Sequence, residues 1–85
     1  MSFRYFQVTG LAELVVETED RFGVFERNDR VYVDAEVVHD ADEETAQRAV
    51  MGNLITRCSA KDGWWVECRV AVVPRPGEQQ FELGL

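Results

Sequence analysis

The chain has 85 residues, of which 46% are apolar, and 16 acidic residues against nine basic ones give it a formal net charge of −7. This length predicts a single α+β domain over 1–85, and the apolar fraction excludes a disordered chain. The acidic balance disfavours direct binding of nucleic-acid phosphates and favours a protein partner with a basic surface. A source whose proteins are acidic throughout would explain the same balance.

The sequence contains neither a run of about 18 apolar residues that would cross a membrane nor the basic and apolar regions of a signal peptide in MSFRYFQVTG. We therefore expect no membrane association and a cytoplasmic location. In a reducing cytoplasm Cys58 and Cys68, which lack CxxC spacing, are expected as free thiols.

The first predicted element, LAELVVETED (residues 11–20), is compatible with two structures. Leu11 and Leu14 would share one face of a helix, whereas the β-branched Val15 and Val16 favour a strand. The helix gives a ferredoxin-like βαββαβ order. The strand, which we prefer, gives a β-meander that is followed by a helix and by further strand.

A hairpin is predicted next, around Asn28 and Asp29, because both residue types tolerate the positive φ angles of a two-residue loop. Its two strands, RFGVFER and RVYVDAEVV, then alternate between two faces of a sheet. The face expected in the core comprises Phe22, Val24, Val31, Val33, Ala35 and Val37. The opposite, mixed face comprises Phe25, Arg27, Arg30, Tyr32, Asp34 and Glu36.

A long amphipathic helix is predicted over 42–58. Asp40 or Asp42 suits its N-cap, and Arg57 suits the negative end of the helix dipole. The stripe expected to pack on the sheet comprises Ala46, Val50, Met51, Leu54, Ile55 and Cys58.

The last clear element is the strand GWWVECRVAVV, which starts after Asp62 and ends before Pro74. Strict alternation puts Trp64, Val66, Cys68, Val70 and Val72 on one apolar face and Trp65, Glu67, Arg69, Ala71 and Val73 on the other. We therefore expect Trp64 under the helix and Trp65 on the far face. The fold class is α+β, with a single antiparallel-rich sheet of four to five strands and the helix on one face.

Candidate chemical sites are few. His39 lies beside acidic residues, but those acids are explained as helix caps, so a solvated histidine is expected. Cys58 and Cys68 fall on apolar stripes, where thiols are inert. The glycines form neither a P-loop nor a GxGxxG motif. We expect no catalytic residue, no metal and no cofactor, although a small isomerase or monooxygenase built on His39 and the thiols is a further alternative.

The sheet face away from the helix is the candidate binding surface, because one helix covers only one face. Tyr, Trp and Arg are enriched where interfaces concentrate their binding energy. The candidate partner-binding residues are Phe25, Tyr32, Asp34, Glu36, Trp65 and Glu67. Equally, this face could be covered by the chain itself, through Phe81, Leu83 and Leu85 or through Phe3, Tyr5 and Phe6.

The passages ELVVETEDRFGVFERNDRVYVDAEVV, ETAQRAVMGNLI and GWWVECRVAVV, in this order, resemble the strand–strand–strand–helix–strand layout of small anti-CRISPR proteins that phages and mobile elements use against type I complexes. The resemblance covers most of the chain as a layout and transfers no functional residue. It implies a non-enzymatic, stoichiometric inhibitor that binds a Cas subunit and blocks recruitment of nucleic acid or nuclease, in the host cytoplasm if a phage encodes the protein. Acidic residues of 34–36 and 40–44 would then act as a DNA mimic. The alternative is a small dimeric ferredoxin-like domain with a regulatory or ligand-binding role.

Overall fold

The computed structural model describes residues 3–75, which form three strands and one helix. In chain order these are β1 (Arg4–Asp20), β2 (Gly23–Asp40), α1 (Glu43–Arg57) and β3 (Asp62–Val73). The strands form one antiparallel sheet in the order β2-β1-β3. The α+β class with one helix on an antiparallel sheet is therefore confirmed. Within 3–75 the sheet has three long strands instead of four to five, and the ferredoxin-like order is not observed.

The segment 11–20 is strand, as preferred, but the hairpin turn predicted at Asn28 and Asp29 is wrong. β2 runs through both residues without a break, with Asn28 opposite Val15 of β1. Long pairing with β1 holds this part of β2 extended, which overrides the turn preference of the two residues.

The turn lies instead at Arg21 and Phe22, between Asp20 and Gly23. The Oδ1 of Asp20 accepts a hydrogen bond from the backbone N–H of Phe22 at 2.7 Å. Gly23 has a φ of 130°, which an L side chain rarely adopts. Asp at the first and Gly at the fourth position of a four-residue turn are the signature of a type I turn.

The core lies between α1 and one face of the sheet. It comprises Phe6, Val8, Ala12 and Leu14 of β1, Val33 of β2, and Ala46, Val50, Met51 and Leu54 of α1. The even-numbered residues of β1 therefore face the helix, as alternation requires. Val33 confirms part of the predicted core face of β2, and Val31 is half-buried.

Four other residues of that predicted face, Phe22, Val24, Ala35 and Val37, are exposed. Phe22 sits in the turn, and Val24 and Val37 lie opposite Glu19 and Gln7, on the face away from the helix. The predicted turn lies seven residues too late in the chain, so the predicted cross-strand partners of the β2 residues are wrong.

Two β-bulges change which side chains share a face. On β2, Val33 lies opposite Gly10 and Glu36 opposite Val8, so Asp34 and Ala35 together match one residue of β1. Ala35 has a φ of 54°, in the left-handed region. A bulge inserts one residue into a strand and thereby reverses the alternation beyond it.

The second bulge, on β3, reverses the predicted positions of the two tryptophans. Glu67 lies opposite Leu11 and Trp65 opposite Ala12, so Val66 is the extra residue. Trp65 thereby joins the helix side with Cys68, packs on the core and donates its indole N–H to the Gln47 carbonyl at 3.4 Å. Trp64 faces away from the helix and is 42% exposed. The prediction of a buried Trp64 and an exposed Trp65 is thus wrong.

The predicted helix 42–58 is confirmed as Glu43–Arg57 with caps at Asp42 and Cys58. Of its expected stripe, Ala46, Val50, Met51 and Leu54 are buried and Ile55 packs against the core, whereas Cys58 is exposed as the C-cap. No helix among residues 3–75 is long and apolar enough to cross a membrane.

Asp42 caps α1 through its side chain. Its Oδ1 accepts hydrogen bonds from the backbone N–H and from the hydroxyl of Thr45, both at 2.8 Å. These bonds lower the pKa of the Asp42 carboxyl below its ordinary value. Because the pKa of Asp42 is lower in the folded than in the unfolded state, the ionised cap stabilises the fold fully at pH values above the unfolded-state pKa. This stabilisation is lost as the pH falls through the folded-state pKa.

Replacing Asp42 with alanine is therefore expected to lower the thermal midpoint at neutral pH, because it leaves N–H groups of the first helical turn unpaired. The difference from wild type should shrink at pH values below the lowered pKa. The Asp42→Asn variant is the matched control, since asparagine caps equally well without titrating. Thermal midpoints measured against pH test this, and a difference that persists in full at the acid end would contradict it.

The sheet extends well beyond the helix, and the described chain measures 62 × 29 × 18 Å. β3 pairs with β1 only as far as Asp62 opposite Val15. Beyond this point residues 16–27 form a two-stranded ribbon in which Phe22, Val24 and Phe25 are exposed, Phe22 at 87%. A two-stranded ribbon is marginally stable by itself in water. This end of the sheet is therefore the least supported part of the fold.

Candidate partner-binding surface

The outer face, by which we mean the sheet face opposite α1, carries the odd-numbered residues of β1 with their cross-strand neighbours. In one row Leu11 lies between Tyr32 of β2 and Glu67 of β3. In the next row Glu13 lies between Arg30 and Trp64. Side chains directly opposite each other on antiparallel strands are close neighbours. The centre of the outer face is thus built from two aromatic residues, one leucine and charged groups.

The two aromatic residues are accessible. Tyr32 is 80% exposed and Trp64 is 42% exposed, whereas Leu11 between the strands is half-buried. Strand spacing and rise put the Tyr32 and Trp64 backbones roughly 12 Å apart. That separation lets both rings contact one partner surface.

The outer face is acidic. By register it carries Glu13, Glu17, Glu19, Glu26, Asp62 and Glu67 against Arg30 and Arg69. Glu17 lies directly opposite Glu26, a like-charge pair that costs stability unless a cation balances it. The Lys61 ammonium lies 3.5 Å from the Glu26 carboxylate and supplies that balance. The other carboxylates of this face make no ion pair among residues 3–75, so their charge attracts a basic partner.

A depression of about 520 Å³ lies where the two bulges meet. It is lined by Thr9, Gly10, Tyr32, Val33, Asp34, Glu67, Cys68 and Arg69. Three of the predicted binding residues, Tyr32, Asp34 and Glu67, are therefore brought together here, around a single arginine. The depression thus holds two carboxylates and a phenol but only one guanidinium of its own. This excess of acceptors suits a guanidinium or ammonium group from a partner.

The other three predicted residues lie on the helix side. Glu36 accepts a hydrogen bond from Arg57 at 3.0 Å and so ties β2 to the helix. Trp65 lies under the helix, and Phe25 lies on the two-stranded ribbon opposite Thr18. The predicted set is thus divided between the two faces.

Sequence reasoning missed Trp64, Leu11 and Glu13 as outer-face residues. The strand alternation of β3 assigned Trp64 to the core, and only the bulge at Val66 reverses that assignment. The sequence predicts no face for Leu11 and Glu13, because 11–20 is compatible with both a helix and a strand. Once that segment is a strand, alternation with the buried Ala12 places both on the outer face.

The groups with potential chemistry within residues 3–75 form no common cluster. His39 is exposed at one end of the sheet, where its ring stacks on Tyr5 at 4.5 Å. Burial raises the pKa of the Cys68 thiol, which keeps it protonated at neutral pH. Among residues 3–75 no three His, Cys, Asp or Glu side chains are grouped to hold a metal ion.

Comparisons with protein-family models, with curated proteins and with solved structures find no match to this chain. No family is therefore assigned to it, and no residue takes a role from a relative. What the outer face can do follows from its own composition, in which exposed aromatic side chains stand among carboxylates.

Proposed function

We propose that this protein is a non-enzymatic binding protein whose outer face docks on a basic surface of a protein partner. In the most specific form of the proposal the partner is a Cas subunit, and the protein acts as an anti-CRISPR that blocks recruitment of nucleic acid or nuclease. The observation that carries the proposal is the exposure of Tyr32, opposite Leu11, and of Trp64, opposite Glu13 in the next row, in an acidic surround.

The charges favour a protein partner over a nucleic acid. The outer-face strands carry an excess of carboxylates, and the whole chain has a net charge of −7. Phosphates would be repelled, whereas lysine and arginine side chains that normally hold phosphates would be attracted. Such a protein would compete with DNA or RNA for its partner without binding nucleic acid itself.

A binding role also fits the side-chain types better than catalysis does. Rigid aromatic side chains lose little conformational entropy on binding and dominate interface energies. The depression at the bulges is lined by carboxylates, a phenol and a protonated thiol that make no hydrogen-bonded nucleophile–base pair among the described residues.

The anti-CRISPR form is tested by phage plaquing on a host with an active type I complex. Wild type is expected to raise plaquing, and Tyr32→Ala and Trp64→Ala should lose the effect. Each substitution should cost on the order of 2 kcal/mol in affinity, about 30-fold in Kd, if the side chain is a hot spot. Asn53→Ala, on the exposed side of α1, is the matched control and should behave as wild type.

The charges are tested by association rates against salt, using the purified complex. Glu13→Lys and Glu67→Lys should slow association most at low ionic strength, where screening is weakest. No protection of phage in any interference-active host would refute the anti-CRISPR form. A captured partner that binds wild type, Trp64→Ala and Glu67→Lys equally would refute the outer face as the binding surface.

A further inference from the structure

The exposed edge of β2 has a feature that the binding role of the outer face does not use. Among residues 3–75, β2 pairs with β1 alone, so its other edge presents unpaired backbone N–H and C=O groups. The run Gly23–Val33 is regular, bounded by the turn at one end and by the bulge of Asp34 and Ala35 at the other. A long regular edge is a template for a further strand.

We propose that two copies of the chain form a two-fold symmetric dimer by antiparallel pairing of their β2 edges, centred on Asn28. The result is a continuous six-stranded sheet in the order β3-β1-β2-β2-β1-β3 with both helices on one face. Pairing over Gly23–Val33 would add roughly ten backbone hydrogen bonds. The outer faces of the two copies would then form one surface.

The register follows from backbone geometry. Along an edge strand, backbone groups point outward only at alternate residues, so outward residues of one copy must meet outward residues of the other. A two-fold axis must therefore pass through a residue that lies opposite itself. Asn28 is the midpoint of Gly23–Val33, so an axis there pairs the whole regular run, with Gly23 opposite Val33 of the second copy.

The side chains are self-complementary in this register. On the outer face Glu26 meets Arg30 of the second copy, and Val24 meets Tyr32. On the helix side Arg27 meets Asp29 of the second copy, and Phe25 meets Val31.

Arg27 and Asp29 are already paired within one chain at 3.1 Å, so the dimer closes a ring of four alternating charges. The exposed Val24, Phe25 and Tyr32 all gain apolar neighbours.

The neighbouring registers lack this complementarity. An axis at Arg27 or at Asp29 sets that residue against its own charge in the second copy. An axis at Glu26 or Arg30 does the same, and axes farther out either shorten the paired run or cross the bulge. Like charges directly opposite each other destabilise a strand pair. Charge complementarity therefore selects a second copy, at one register, as the occupant of this edge.

Sedimentation equilibrium of the full chain tests the dimer and its register. Wild type is expected to show reversible association to twice its mass of 9.7 kDa. Glu26→Arg and Arg30→Glu should each raise the dimer dissociation constant about tenfold or more, because each sets like charges opposite each other twice per dimer. Mixing the two single variants should restore association as a heterodimer, and so should the double exchange E26R/R30E.

Glu44→Arg and Arg48→Glu are the matched controls, because they reverse an exposed ion pair on α1 that lies away from the β2 edge. Both should dimerise as wild type does. A wild type that sediments as a monomer at every concentration overturns the proposal. The register is overturned if Glu26→Arg and Arg30→Glu leave the dimer dissociation constant unchanged. It is also overturned if mixing the two variants does not restore association. Restoration on mixing also excludes misfolding of the single variants as the cause of their loss.

Discussion

Replacing Gly10 with alanine is expected to cost about 3 kcal/mol or more, a large part of the roughly 4 to 13 kcal/mol typical of a domain of this size. A Cβ at Gly10 would lie 2.2 Å from the Glu67 carbonyl oxygen and 3.0 Å from the Cys68 Cα. Both are backbone atoms of β3, so no side-chain rotation relieves the contact. β1 and β3 must therefore separate at Gly10, where their backbones approach closely.

Gly52→Ala is the matched control for this substitution. A Cβ at Gly52 meets nothing within 4 Å, and the residue lies on the exposed side of α1. Alanine in the middle of a helix is favoured over glycine by about 0.5–1 kcal/mol, so this variant should be slightly more stable than wild type. Urea unfolding of the three proteins decides the matter. Equal midpoints for Gly10→Ala and Gly52→Ala would contradict the close approach of β1 and β3.

The helix could be predicted from the sequence because its signals are local. Asp42 caps the helix within one turn, and the apolar spacing of Ala46, Val50 and Leu54 repeats within the same element. No partner outside the helix is needed to recognise these features. Its predicted bounds accordingly agree with the structure.

The hairpin could not be placed correctly because its register depends on distant residues. Asn28 with Asp29, and Asp20 followed by Gly23, are both acceptable turn sequences. Only the second lets the whole of 4–20 pair with 23–40, which satisfies the backbone of both strands over their full length. The stabilisation from that pairing is spread over many residues, so no short window of sequence indicates it.

The composition of the outer face could be predicted only in part, because it too depends on how the strands pair. Tyr32 and Glu67 were placed on the outer face, and the structure sets them on either side of Leu11. Trp64 and Trp65 were exchanged because alternation was counted through Val66 without a bulge. A bulge is produced by the pairing of two strands and has no signature in one of them alone. Strict alternation therefore places the wrong tryptophan on the outer face.

Alanine at Trp65 and at Trp64 should separate stability from binding. Trp65 packs on the core and donates to the Gln47 carbonyl, so Trp65→Ala should destabilise the fold by about 2–4 kcal/mol. Trp64 lies on the outer face, so Trp64→Ala should cost less than about 1 kcal/mol in unfolding free energy. The order is opposite to the one that strict strand alternation predicts.

Each variant retains one tryptophan, so fluorescence reports the environment of the other ring directly. The Trp64→Ala protein keeps the half-buried Trp65 and should emit at shorter wavelength with weak iodide quenching. The Trp65→Ala protein keeps the outer-face Trp64 and should emit at longer wavelength and be quenched readily.

Weak quenching of Trp64 in a folded Trp65→Ala protein would mean that another part of the chain, or a second copy, covers the outer face. In that case the Trp64 ring would not be accessible to a partner, and the loss of partner binding expected for Trp64→Ala would have no structural basis. Strong quenching together with unchanged stability in Trp64→Ala would leave partner contact as the role of that side chain.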